Sequence, residues 1–115
     1  MKFPDAIKSC FNNFINFEGR ATRSEYWWWF LFYIVTYIAA MFIDLVLSLG
    51  VLSLVVSLVL FAPSIAVGAR RLHDINKSGW WQLLIIIPLI GFLILIFFYV
   101  KKSDVGTNRF GPPRE

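Results

Sequence analysis

Residues 26–69 read YWWWFLFYIVTYIAAMFIDLVLSLGVLSLVVSLVLFAPSIAVGA, and Asp44 is the only charged side chain in that stretch. Asp44 separates an apolar run of 18 residues, Tyr26–Ile43, from one of 25, Leu45–Ala69. A third run, Gly79–Val100, has 22 residues. About 20 apolar residues rising ~1.5 Å each cross the ~30 Å hydrocarbon core of a bilayer. Between Tyr26 and Val100 the remaining charges, counting His73, all fall between Arg70 and Lys77. The chain therefore reads as an all-α, multi-pass membrane protein.

Composition agrees with this. Hydrophobic residues make up 58% of the 115, and so short a chain has too little polar surface to enclose three such runs as a water-soluble globule. It also has room for one domain only, 1–115. No short apolar core followed by a small-residue cleavage site precedes the first run, so a removable signal peptide is not expected. A single cysteine, Cys10, excludes an intramolecular disulfide and a Cys-based zinc site, and no metal or cofactor is expected. The net charge of +4 comes from Lys and Arg flanking apolar runs. That is the pattern of membrane orientation and anionic-lipid contact rather than of nucleic-acid binding.

Upstream, residues 3–17 place Phe3, Ile7, Cys10, Phe11, Phe14, Ile15 and Phe17 on one helical arc and polar residues on the other. This predicts an amphipathic helix lying in the membrane interface, or packed by the same face on the spans. Pro4 suits its first turn, and Gly19 is a plausible stop. Thr22 to Glu25 has capping-box spacing, so span 1 is expected over 23–47. Trp27, Trp28 and Trp29 then mark its entry at the headgroup level, with Asp44 near the far interface. Ser48, Leu49 and Gly50 turn the chain into span 2, residues 50–72, making a tight antiparallel hairpin. Small residues four apart on span 2 (Ser53 and Ser57, Ala62 and Ala66, Ser64 and Gly68) allow close helix approach in lipid. Pro63 predicts a kink, either static or hinge-like.

The third segment, 79–100, opens on the interfacial aromatics Trp80 and Trp81 and is broken at Pro88–Gly91. The tail, 101–115, is expected to be irregular. The Lys and Arg residues before span 1 and after span 2 set the N-terminus and the 70–77 loop in the cytoplasm. The tail, with Lys101, Lys102, Arg109 and Arg114, leaves two arrangements. A third full crossing fits the length from Trp80 to Tyr99 and puts seven basic residues inside against four outside. A re-entrant hairpin puts all 11 on one side, but its turn needs protein partners for its backbone groups. Length favours the full crossing.

A polar collar gathers at the cytoplasmic face: Arg20, Arg23, Glu25, Arg70, Arg71, His73, Asp74 and Lys77. One reading is orientation signals with mutual salt bridges, including Arg70 with Asp74 at i,i+4. Another is a phosphate site for a lipid headgroup, flanked by Trp27 and Trp80. His73 beside Asp74 invites a general-base reading, but helical neighbours point about 100° apart and no nucleophile motif accompanies them. The leading function is thus a non-enzymatic membrane component whose collar engages anionic phospholipid or a membrane partner. Alternatives are an oligomeric transporter or channel and a lipid-modifying enzyme using His73 and Asp74.

Three segments carry a resemblance: FEGRATRSEYWW at 17–28, ARRLHDINKSGWW at 69–81 and GTNRFGPP at 106–113. Together they resemble the domain-of-unknown-function 805 family of small bacterial inner-membrane proteins. The resemblance implies a bacterial cytoplasmic-membrane location and no known activity. It also implies that the three motifs form one unit, which adds Asn108 and Arg109 to the candidate collar. For the motifs to meet, the tail must share the collar's side, which favours the re-entrant hairpin.

Overall fold

The structure, a computed structural model, describes residues 2–113; Met1 and the tail residues Arg114 and Glu115 lie outside the described residues. Its elements are α1 (Phe3–Asn12), α2 (Arg23–Leu47), α3 (Leu52–Asp74), a 3-10 helix (Gly79–Ile86) and α4 (Ile90–Val100). It is all-helical, with no strand among the described residues.

α1 ends earlier than the expected 3–17 helix. The amide of Asn13 donates to Ser9 O at 2.7 Å and that of Asn16 to Asn13 Oδ1 at 2.9 Å. Such side chains compete with the helical ladder and favour turns. Gly19 does not cap α1; it lies in a later turn at φ +85°. The apolar face of α1 is shared between the protein and its surroundings. Ala6 and Cys10 are buried, and Phe11 meets Trp29 and Phe32 edge-on, while Phe14, Ile15 and Phe17 stay exposed.

α2 begins where its cap predicts, with Thr22 Oγ1 accepting from Glu25 N at 3.1 Å. It turns at Ser48 and Gly50, both at positive φ, into antiparallel α3. Val51 supplies no side-chain cap to α3. Asp44 supplies it from the preceding helix, accepting from Leu52 N at 2.9 Å and Ser53 N at 2.8 Å. The acid at the far end of span 1 thus neutralises the positive end of span 2. Asp44→Ala should lower the melting temperature in detergent by a few degrees, as lost caps do, and Asp44→Asn by less. An unchanged melting curve for both would show that the cap contributes nothing.

Both helices are long and apolar enough to cross a membrane. Only 11% of the most apolar window of α2 is buried within the molecule, and 33% of that of α3. A core helix of a soluble protein would bury most of such a face, so these faces belong against lipid. Packing is concentrated at one end. Trp29 donates to Ser64 Oγ at 3.0 Å, and Cys10, Ala21, Leu60 and Val67 cluster around it. Trp29, which the sequence placed with the headgroup aromatics, is therefore a core residue.

Residues 79–100 fold back on themselves instead of running as one straight helix. The 3-10 arm of eight residues and the α4 arm of 11 are each about 16 Å long, half of a hydrocarbon core. Three bonds within the turn pair part of its backbone: Ile87 N donates to Leu84 O, Ile90 N to Pro88 O and Gly91 N to Ile87 O. Gly91 makes the fold-back possible, because a Cβ there would lie 1.6 Å from Leu84 O. The hairpin packs on α3 through Gly68, whose missing Cβ leaves room for Gln82 and Tyr99, and through Gly79 against Ala69.

Candidate functional site

The N-terminus of α2, the C-termini of α3 and α4, and the tail converge on one end of the molecule. Their meeting point is a buried ion-pair network. Arg20, Arg70 and Arg71 are at most 1% exposed, and Glu25 and Asp74 are fully buried.

Asp74 is the hub. Its Oδ1 accepts from Arg20 Nε at 2.8 Å and its Oδ2 from Arg71 Nη1 at 3.0 Å and from the Ser103 hydroxyl. Arg20 also donates through Nη1 to Gly106 O (2.8 Å) and Gly111 O (3.2 Å), and through Nη2 to Asp104 O (2.7 Å) and Asp74 O (3.2 Å). One planar guanidinium thereby fastens the tail to the end of α3. Arg71 turns instead to the end of α4. It donates to Tyr99 O at 3.2 Å and to Lys101 O, beside Trp27 Nε1 to Tyr99 O at 3.1 Å and Arg23 to Val100 O at 3.3 Å. These donors satisfy carbonyls that a helix C-terminus leaves unpaired, and the cations suit its negative pole.

Glu25 and Arg70 make the second centre, with Arg70 Nη1 at 2.9 Å from Glu25 Oε2. Ser9 Oγ donates to the same oxygen at 2.8 Å, and Cys10 Sγ lies 3.8 Å away. Burial, and then the Glu25 charge, pushes the Cys10 thiol up to about 12, so it packs as a neutral, unreactive group. Glu25 Oε1 and Arg70 Nε and Nη2 are buried without hydrogen-bond partners.

The expected i,i+4 pair of Arg70 with Asp74 is not made. Glu25 captures Arg70, and Asp74 is engaged by Arg20 and by Arg71 at i,i+3. Glu25 likewise gives up its return bond in the capping box for Arg70. His73 does not meet Asp74 either. Its Nδ1 lies 2.8 Å from Gly19 O, and its ring stacks on Phe110 at 3.9 Å with 2° between planes. His73 Nδ1 and both Asp74 carboxylate oxygens are engaged elsewhere, so the two residues do not form a His–Asp pair.

The remaining sequence candidates sit around this network. Asn108 donates to His73 O at 3.0 Å and Asp104 Oδ2 at 3.2 Å, so the tail motif joins the other two. Arg109 donates to Asn76 O at 3.2 Å and lies over the Phe110 ring. Lys77 Nζ lies 5.7 Å from the Trp81 ring centre and 5.5 Å from that of Phe98. Trp28, Trp80 and Trp81 are exposed, as interfacial aromatics should be, whereas Trp27 is spent on α4. Sequence reasoning missed Ser9, Tyr99, Ser103, Asp104 and the Gly106 and Gly111 carbonyls, because backbone acceptors and small polar residues carry no signature of their own.

Two functional readings change on this geometry. The guanidiniums of Arg20, Arg70 and Arg71 are enclosed by protein and do not face a headgroup. On the small-residue face of α3, Ser64 is taken up by Trp29 and Gly68 by the hairpin. Cations exposed at the same end include Arg23, Lys101, Lys102 and Arg109. Among the described residues no group of His, Cys, Asp and Glu has the arrangement of a metal site.

The family described as "Protein of unknown function (DUF805)" matches residues 14–112. "Inner membrane protein YhaH" of Escherichia coli strain K12 is 41% identical over 106 residues, covering 87% of this chain and 88% of that protein. "Inner membrane protein YhaI" of the same strain is 39% identical over 108 residues, covering 90% and 89%. No solved structure matches the chain.

Proposed function

The chain belongs to the DUF805 family, and from that premise we propose a non-enzymatic, multi-pass component of the bacterial inner membrane whose cytoplasmic end engages anionic phospholipid headgroups. The N-terminus and the tail share the cytoplasm, and residues 79–100 are a re-entrant hairpin. The observation that carries this is the division of labour among the cations. Arg20, Arg70 and Arg71 are consumed by carboxylates and carbonyls, and Arg23, Lys101, Lys102 and Arg109 ring the same end in the open. The buried set holds the tail where its lysines face the inner leaflet, whose negative surface attracts each nearby cation by about 1 kcal/mol. Collecting basic residues on one end also gives the strongest positive-inside signal available to this sequence.

Replacing Arg23, Lys101, Lys102 and Arg109 together by Gln should lower the ratio of anionic to zwitterionic lipid that co-purifies by about tenfold, while the helical circular dichroism spectrum in detergent shows the fold retained. A C-terminal reporter active only in the cytoplasm should be active on the same chain. An unaltered lipid ratio would remove the headgroup role, and a reporter active only outside would remove the topology.

A further inference from the structure

A cavity of about 320 Å³ lies where α2, α3 and both arms of the hairpin meet. Its wall is formed chiefly by Tyr26, Phe30, Ile65, Ile85, Leu95 and Ile96. Gln82, the amide side chain in that wall, has its nitrogen held by Ile65 O at 3.2 Å. The volume is at the bottom of the roughly 300–1,000 Å³ range of small-molecule sites. It suits one slender apolar group and not a two-tailed lipid.

We propose that this cavity holds a single acyl chain of an anionic phospholipid, whose phosphate lies against Arg23, Lys101 and Lys102. The rim carries the assignment. Trp27 and Tyr99 line the cavity and are joined by the Trp27 Nε1 to Tyr99 O bond. One turn before Trp27, exposed Arg23 donates to Val100 O, and exposed Lys101 and Lys102 follow directly. An apolar slot therefore opens beside three cations, which complements a chain attached to a phosphate and not a neutral hydrocarbon. The inference rests on the headgroup reading above and adds the chain site to it.

Native mass spectrometry of the full chain released from mild detergent tests this, with phosphatidylglycerol and phosphatidylcholine of identical chains as probes. One phosphatidylglycerol per chain should be retained. Ile96→Trp, which fills the cavity, should reduce that retention about tenfold. Ile94→Trp, which adds the same bulk on α4 outside the cavity, should leave it unchanged. If Ile96→Trp does not fold, Ile85→Trp from the other arm asks the same question. Equal retention by the filled variant and Ile94→Trp overturns the chain site. If the four-Gln variant then still loses its anionic preference, the headgroup reading survives without the cavity. Equal retention of both lipids by the wild type overturns the phosphate assignment and the headgroup reading together.

Discussion

Asp74→Asn is expected to unfold the collar end of the molecule and to cost about 3–5 kcal/mol, the range seen when one partner of a buried ion pair is removed. Asp74 neutralises two guanidiniums, Arg20 at 2.8 Å and Arg71 at 3.0 Å, and all three side chains are almost wholly enclosed. Asparagine keeps the shape but offers one acceptor, and turns its amide N–H groups towards a cation. The other buried carboxylate of the network, Glu25, is committed to Arg70. Domains of this size have a total stability of only about 5–15 kcal/mol, so a large share would be lost. The midpoint of unfolding in mixed detergent micelles measures it. Asp104→Asn, which alters a half-exposed carboxylate, should move that midpoint little. Equal midpoints for the two variants would show that the network is not what holds this end together.

Gly91→Ala should open the hairpin. The added methyl would lie 1.6 Å from Leu84 O and 2.6 Å from Leu84 C, and backbone atoms cannot swing aside as a flexible side chain would. The arms must separate, at a cost of at least the ~1–3 kcal/mol of an overpacked core. The consequence appears at the far end of α4, because the carbonyls of Tyr99, Val100 and Lys101 are then no longer delivered to Trp27, Arg23 and Arg71. Trypsin should cut after Lys101 and Lys102 several-fold faster than in the wild type. A wild-type rate of cleavage would mean that the turn accommodates the methyl.

How much of this was legible in the residues depends on the range of each interaction. The start of α2 at Arg23 follows from Thr22 and Glu25, three positions apart, and the structure has that boundary. The depth of Asp44 marked it as a helix-end residue, but its service to the next helix depends on how the 48–51 turn brings the two ends together. Pro88 and Gly91 announced a break. That the preceding arm is a 3-10 helix was not readable, since GWWQLLII is equally good α-helix. The collar residues were found by charge alone, but their pairing was not. Arg70 with Asp74 was the natural local guess, and it lost to Glu25 and Arg20, partners 45 and 54 residues away. The tail's composition gave irregular structure correctly and was silent about where it docks. Only the three resembling motifs linked it to the rest.

The position of Arg20 in the chain has a consequence for biosynthesis. Its guanidinium emerges early, while the carbonyls that enclose it belong to residues 84, 86 and 91 positions downstream. Until Asp104, Gly106 and Gly111 are made these acceptors do not exist, and water or headgroups must solvate the charge in their place. The first two helices can insert during translation, but this end closes only once Asp104, Gly106 and Gly111 have been made. A chain cut short before Gly106 would lack two of the carbonyls that enclose the Arg20 guanidinium, a mark that distinguishes it from the longer product.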